Sequence, residues 1–337
     1  MSHVSPGKDS FSMEVEGKEY NIKVVLQPDR IPAIKNPEFV SAPKARVHPG
    51  EPIIGLSING DNRAYSVYLL NSHEIVNDVV GGKPVAIAWC PLANLAVVYS
   101  REIENSVYTF GVSGKLVKNA LIMFDYETES LWTSISGESI KGDLHGKRLK
   151  SVISSQKITW GEWKELHPNT KILSYRGNQT AGYDNYRGYH KSMLKTGIHT
   201  VENKDDRLKD KSTVIGLVVN GDCKVYPISL FKKNKIVSDE FRDIPLLLYH
   251  DNSTNNTIVY NRKLGNNIFE FRMSKPSFFD RNKTDIVIDN ITGTKWDLKT
   301  GKAIEGSLSS QALKKVDFKK VYWFIWADYF PESDIYE

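Results

Sequence analysis

The chain contains two copies of one sequence pattern, and this repetition limits the possible folds more than any other feature. The stretch IIGLSINGDNRAYSVYLLNSHEIVND begins at Ile53 and matches VIGLVVNGDCKVYPISLFKKNKIVSD, which begins at Val214. The offset of 161 residues continues without a gap to Arg101 and Arg262. Self-similarity on this scale is typical of duplicated structural units. We therefore predict two tandem, internally duplicated domains, one over residues 50–173 and one over residues 211–337.

The remaining segments have a different character. Residues 1–49 form a predicted N-terminal extension, and residues 174–210 form a predicted linker that is rich in Tyr, Gly and Lys. Charges of both signs alternate over residues 202–211, which is typical of a solvated segment. We expect the linker tyrosines to pack the linker across both domains; these are Tyr175, Tyr183, Tyr186 and Tyr189.

Local signals within each copy favour strands. The stretches EPIIGLSI, KPVAIAW, LAVVYS and SVYTFG are short, β-branched or aromatic, and bounded by Gly, Asn, Asp or Pro. Asn59-Gly60 and Asn220-Gly221 have the composition of tight hairpin turns. The stretches YLLNSHEIVND and WGEWKELHP instead suit short helices. The predicted class is mainly β, a β-rich α+β fold with one or two short helices in each domain.

Charge, hydropathy and cysteine content exclude several classes of protein. The net charge of +5 comes from 45 basic and 40 acidic residues spread along the chain, which disfavours a nucleic-acid partner. No apolar run reaches the ~18 residues of a membrane span, and residues 1–10 lack the apolar core of a signal peptide. Cys90 and Cys223 alone make neither a disulfide framework nor a four-cysteine metal site. A homo-oligomer or surface assembly stays open.

Differences between the two copies locate a candidate site. Two copies of one fold share structural needs, so residues that recur in both are expected to be structural. Several reactive or metal-ligating side chains of the first copy are replaced by other residue types in the second. The aligned pairs are His73 with Asn234, Glu74 with Lys235, Cys90 with Asp251, Met123 with Val287, and His167 with Phe330. We therefore predict the site in the first domain, between His73 and Cys90.

Several motifs in a fixed order resemble one uncharacterised family. DRIPAI, HEIVND, CPLA, FGVSG and MFDYETESLW, followed by WGEWKELHP, resemble the family called domain of unknown function 3179. This family is described as a possible selenoprotein family, and the resemblance implies an exported or cell-surface protein. It also implies Cys-Pro-Leu-Cys where this chain has Ala93 in the last place. A dithiol cycle needs the second thiol to resolve a mixed disulfide, so it cannot close within this chain.

Three hypotheses for the site follow. His73, Cys90, Met123 and His167 are nitrogen and sulfur ligands that would suit copper or zinc. Alternatively, Cys90 acts as a reactive thiol, with His73 lowering its pKa and Glu74 orienting the imidazole. In the third hypothesis Cys90 is a buried, inert thiol, and the protein is a non-catalytic surface or binding module. The Ala93 substitution favours the third hypothesis.

Overall fold

A computed structural model describes residues 10–15, 18–153, 155–175, 182–274 and 285–337. The predicted mainly β class is confirmed: strands dominate the described residues and the helices are short. No helix in the described ranges is long and apolar enough to cross a membrane. The predicted domain boundaries stay a prediction, and "first half" and "second half" below mean residues 50–173 and 211–337.

The elements up to the linker are sixteen strands and two helices within the described residues. The strands are β1 Ser10–Val15, β2 Lys18–Val24, β3 Glu38–Ser41, β4 Pro52–Ile58, β5 Asp61–Ser66, β6 Ile75–Val80, β7 Lys83–Cys90, β8 Leu95–Ser100, β9 Glu102–Ile103, β10 Ser106–Val107, β11 Phe110–Val117, β12 Ala120–Asp125, β13 Leu131–Thr133, β14 Ser139–Lys141, β15 Ser155–Thr159 and β16 Lys171–Ser174. The helices are α1 Val67–Leu70 and α2 Trp160–Leu166.

A third helix, α3 Arg187–Lys191, lies in the linker, and the second half supplies the remaining elements. Its strands are β17 Thr213–Val219, β18 Asp222–Pro227, β19 Ile236–Phe241, β20 Ile244–Asp251, β21 Asn256–Asn261, β22 Lys263–Leu264, β23 Asn267–Ile268, β24 Phe271–Met273, β25 Ile286–Asp289, β26 Lys295–Asp297, β27 Ala303–Glu305, β28 Lys314–Lys315, β29 Lys319–Tyr322 and β30 Asp334–Ile335. Its helix is α4 Trp323–Tyr329.

The same strand order occurs in both halves. One sheet runs β15-β4-β5-β16-β3, and its counterpart runs β29-β17-β18-β30. The antiparallel set β6-β7-β8 corresponds to β19-β20-β21, and β11-β12-β13-β14 corresponds to β24-β25-β26-β27. This agreement is consistent with the internal duplication interpreted from the sequence. In the first half, β1 and β2 extend the last of these sheets beside β11.

The hairpin turns are confirmed, whereas one helix is much shorter than expected. Asn59 and Gly60 both have positive φ, at 49° and 83°, as the two-residue turn between β4 and β5 requires. The helix predicted over YLLNSHEIVND ends at Leu70, and Ile75 and Val76 belong to β6 instead. That prediction was wrong because a short apolar run fits the repeat of a helix as well as that of a strand. Residues 75–80 pair with β7, and this pairing makes them a strand.

Large aromatic residues fill the core of each half. In both halves a helix places a fully buried indole against a strand glycine. Trp163 of α2 lies over Gly55, and Trp326 of α4 lies over Gly216. The contact is so close that a β-carbon on either glycine would meet the ring at under 3 Å. Both tryptophans were expected in the core. The close contact with the indole explains why a glycine occurs at the equivalent strand position in each half.

The two halves contact each other through main-chain hydrogen bonds and one hydrophobic cluster. The main-chain N–H of Tyr322 donates to the carbonyl of Ala93 at 3.1 Å, and the N–H of Thr159 donates to that of Thr254 at 3.0 Å. One hydrophobic cluster contains residues of both halves, including Cys90 and Trp323. The region of Cys90 is therefore enclosed by the second half as well as by the first.

Candidate functional site

Cys90 lies at the end of β7, where the chain enters the turn that leads to β8. Its side chain is buried with only 3% of the residue exposed. Burial, with a smaller contribution from the charge of Glu74, raises the pKa of the thiol to about 12, although backbone hydrogen bonds from Ala93, Leu121 and Leu92 oppose the shift. The thiol is therefore protonated at neutral pH, whereas the nucleophile and metal ligand is the thiolate.

Glu74 is held in a tight turn between α1 and β6. Its φ is 55°, and the N–H of Ile75 donates to the carbonyl of His73 at 2.6 Å across it. A γ-turn with positive φ at a glutamate is rare and strained. Burial alone raises the pKa of the Glu74 carboxyl to about 8. A neutral carboxylic acid thus lies near a neutral thiol.

Residues 182–199, which we call the cover segment, lie over this region. The Tyr189 hydroxyl donates to the carbonyl of Leu92 at 2.8 Å, so α3 is fixed directly above the turn that follows Cys90. Further along, the Asn119 side chain accepts from the N–H groups of Ile198 and His199 at 2.9 and 2.8 Å. The cover segment is therefore attached to the first half at several points.

The cover segment also adds titratable groups and contacts the second half. Burial raises the pKa of Tyr186 to about 12, and the charges of Glu74 and Cys90 contribute. His190 Nδ1 lies 2.8 Å from the Tyr322 hydroxyl, and burial lowers the pKa of His190 to about 4. Neither Tyr186 nor His190 was predicted from the sequence as a site residue. The only signal was the tyrosine-rich composition of the linker, whose packing against both halves was expected.

His73 is directed to other partners than Cys90. Its Nδ1 donates to the carbonyl of Pro32 at 2.8 Å, and its ring lies 4.4 Å from that of Tyr175. Glu74, and not His73, is the neighbour whose charge acts on Cys90. The interaction that would lower the pKa of the thiol is therefore not among those that this structure describes.

The two remaining candidates lie in different places. Met123 is fully buried in β12 and belongs to the same hydrophobic cluster as Cys90. His167 ends α2, where its ring lies 4.0 Å from that of Trp163, and burial together with the charge of Lys315 lowers its pKa. Among the described residues, no group of three or more His, Cys, Asp or Glu side chains is placed to hold a metal ion.

The second half has an ion pair where the first half has Glu74 and Cys90. Lys235 Nζ lies 2.8 Å from the Asp251 carboxylate and 2.6 Å from that of Asp285. Although burial opposes it, hydrogen bonds from Lys235 and Ser253 lower the pKa of Asp251 to about 2. The equivalent pair is thus ionised and satisfied in one half, but neutral in the other.

The comparisons with known proteins agree with the motifs. A family model described as "Protein of unknown function (DUF3179)" matches residues 28–333, which is nearly the whole chain. No curated protein and no solved structure shows significant similarity to the chain. The match includes the turn at Cys90, the cover segment and both halves. The chain therefore belongs to the family of proteins of unknown function called DUF3179.

Proposed function

We propose that this protein is a non-catalytic binding module, and that its ligand is an anionic oligosaccharide bound in a groove between the two halves. A buried, protonated thiol with no base beside it is typical of a structural cysteine. The groove, in contrast, is open and has a volume of about 1120 Å³, which suits an extended ligand. This groove is the observation on which the proposal rests.

The side chains of the groove favour an anionic ligand. Four basic residues line it, and these are Lys118, Arg148, Lys150 and Lys319, against the two acidic residues Glu138 and Asp317. Lys150 is exposed and has no ion-pair partner among the described residues. The Arg148 guanidinium lies 3.7 Å from Glu138 but is 56% exposed. Both groups are therefore available to carboxylates.

Aromatic rings favour a saccharide over other anions. Phe318, Tyr329 and Phe330 line the groove and are each partly exposed. Partly exposed rings offer flat apolar faces, while the basic groups at the edge supply charge-assisted hydrogen bonds. A carboxylated sugar chain presents both kinds of surface at once.

The test is binding of oligogalacturonate, measured by isothermal titration, with its methyl-esterified form as the neutral control of equal length. We expect the acidic form to bind and the ester to lose at least about tenfold in affinity. Lys150→Glu should weaken binding, whereas Lys164→Glu, an equal charge change at an exposed position of α2, should not. Equal binding of both sugars, or binding of a polyglutamate peptide instead, would contradict the proposal.

A second candidate function is thiol chemistry at Cys90, favoured by the strained, neutral Glu74 beside it. Strained backbone and strongly shifted carboxyl pKa values are concentrated at functional sites. In this alternative the cover segment must move before the thiol can react. The absent second cysteine limits the chemistry to single-thiol reactions with an external partner.

Alkylation separates the two functions. In the binding module, iodoacetamide should modify only Cys223 in the native protein, so that Cys223→Ser reacts only after denaturation. Fast modification of native Cys223→Ser would instead support the thiol function. Tyr189→Ala, which removes the hydrogen bond to Leu92, should then increase the rate further, while Tyr183→Ala, at an exposed position of the same segment, should not.

The metal hypothesis and the cellular location stay proposals as well. Copper or zinc binding by His73, Cys90, Met123 and His167 would require all four side chains to meet. Cys90 and Met123 belong to one hydrophobic cluster, but His73 and His167 lie against the rings of Tyr175 and Trp163. Elemental analysis of the wild type and of Cys90→Ala tests it, with stoichiometric metal lost in the variant as the supporting result. An exported or surface location rests on the family resemblance and is tested by fractionation of the native cells.

A further inference from the structure

Two lysines of equivalent position in the two halves line one small cavity. Lys157 of β15 and Lys320 of β29 both contribute to its wall, together with Gln156 and Thr257. The cavity shares Ile153, Asp317 and Phe318 with the groove described above, so it opens toward solvent there. This is the place where the two halves meet.

The hydrogen bonds of the two lysines involve only neutral groups. Lys157 Nζ donates to the carbonyl and side-chain oxygen of Asn94. Lys320 Nζ donates to the carbonyl and side-chain oxygen of Asn255 at 2.7 and 3.1 Å and to the Thr257 hydroxyl at 3.0 Å. No carboxylate of the described residues lies within salt-bridge distance of either amine. Asp317 also lines the cavity, but its carboxylate pairs with Lys319 at 3.0 Å, and Lys157 Nζ lies 4.3 Å from the centre of the Trp89 ring. Buried charges are usually paired with an opposite charge, and neither of these two amines has such a partner among the described residues.

The charge of one amine also acts on the other. Burial lowers the pKa of Lys320 to about 7. Burial and the charge of Lys320 hold the pKa of Lys157 well below its ordinary value. The recurring lysine–asparagine bond explains why a lysine occurs in each half. It does not explain two amines at one cavity whose charged forms are disfavoured, and an anion between them would favour those charged forms.

A buried acceptor narrows the choice of anion. Gln156 is 8% exposed, and its Oε1 has no hydrogen-bond partner among the described residues. A buried acceptor without a donor is costly, so the occupant should carry an N–H or O–H group. The cavity volume of about 50 Å³ corresponds to about four water-sized positions. A small anion that carries one O–H group, such as bicarbonate, meets these conditions.

We propose that the cavity between Lys157 and Lys320 is a binding site for a small protonated oxoanion of the bicarbonate type. The two ammonium groups supply the positive charge that attracts the anion, and the Gln156 Oε1 accepts the O–H. The ligand joins the two halves where they meet, so it also stabilises their association. This site adjoins the proposed saccharide groove, with which it shares Ile153, Asp317 and Phe318, but it does not depend on saccharide binding.

The test is titration of the whole protein with sodium bicarbonate at neutral pH and constant ionic strength, followed by isothermal titration and by thermal unfolding. Nitrate is the matched anion, with the same number of non-hydrogen atoms but no proton, and chloride controls for charge alone. We expect saturable binding and a rise in Tm with bicarbonate, and at least about tenfold weaker binding of nitrate and chloride.

Variants complete the test. Lys320→Met and Lys157→Met should each abolish the response to bicarbonate, and Gln156→Leu should bring bicarbonate to the level of nitrate. Because each methionine removes a buried cation, the variants should still fold, and if one does not, the other gives the same information. Lys164→Met, at an exposed position of α2 that lines neither the cavity nor the groove, should bind bicarbonate normally. No response in the wild type, or an unchanged response in both lysine variants, would overturn the proposal.

Discussion

At the scale of single residues, the equivalent pairs Glu74 with Cys90 and Lys235 with Asp251 differ in ionisation. The first pair is neutral because burial raises the pKa of both groups. The second pair is ionised because hydrogen bonds from Lys235 and Ser253 lower the pKa of Asp251 by more than burial raises it. The two halves therefore respond to pH in opposite directions, and both directions can be measured.

Glu74 should make the protein less stable as the pH rises. Its folded pKa of about 8 lies above the ordinary value of 4.5, so between these values the folded state keeps a proton that the unfolded state releases. The free energy of unfolding then falls by about 1.4 kcal/mol per pH unit. Glu74→Gln should remove this slope and raise Tm at pH 8 more than at pH 5. If Tm of the wild type and of Glu74→Gln changed with pH in parallel, this prediction would be wrong.

Asp251 should act in the opposite direction. Its folded pKa of about 2 lies below the ordinary value of 3.8, so its contribution is present above that value and is lost as the pH falls toward 2. Lys235 is 34% exposed, which screens the pair, so we expect Asp251→Asn to cost only about 1–2 kcal/mol at neutral pH. Urea unfolding at neutral and acidic pH measures this, and the difference between the two proteins should shrink in acid.

At the scale of elements, the sequence predicts strands better than it predicts their partners. β4, β7 and β8 follow from short β-branched runs between turn residues, and α2 follows from its spacing. The longer helix after Val67 was wrong because the spacing of Ile75 and Val76 fits a helix, and only pairing with β7 excludes it. Local composition carries no information on that pairing.

The candidate site was predictable only in part, for the same reason. The comparison of the two copies placed Cys90 and Glu74 in one region. The contact partners of His73 and the packing of Tyr186 and His190 depend on segments distant in sequence, namely Pro32 and the cover segment. Such contacts are set by the tertiary fold, and no periodicity in the sequence encodes them.

The contact of each helix with a strand glycine gives a prediction for the elements themselves. A β-carbon at Gly55 would lie 2.4 Å from the Trp163 ring, and one at Gly216 would lie 2.2 Å from the Trp326 ring. Gly55→Ala and Gly216→Ala should therefore each cost about 1–3 kcal/mol, since the buried indole must move.

Gly188 is the matched control for this substitution. It lies in α3, and a β-carbon there would meet nothing within 4 Å. Gly188→Ala should be neutral or stabilise the protein by up to about 1 kcal/mol through helix propensity. Urea unfolding of the three variants gives the comparison, and equal costs at all three positions would show that the close contact with tryptophan is not the cause.

At the scale of the whole molecule, the two halves are joined by strand contacts and by a common core. β8 packs against β29, and β15 packs against β21, so each half contacts the other through two strands. Val214 and Trp323 of the second half belong to the same hydrophobic cluster as Cys90. Separation of the halves would expose this apolar surface to water, which makes independent folding unfavourable.

The molecule should therefore unfold in a single transition despite its repeated sequence. Far-ultraviolet circular dichroism and tryptophan fluorescence should give the same midpoint in urea, because the buried tryptophans of both halves lose their surroundings together. Residues 1–173 and 174–337 expressed separately should each lack a cooperative transition. When the two fragments are co-expressed, the cooperative transition should return, since the hydrophobic cluster that spans the two halves forms only when both fragments are present. Two resolved transitions in the intact chain, or a cooperative transition in either fragment alone, would mean that the shared core contributes little to the stability of each half.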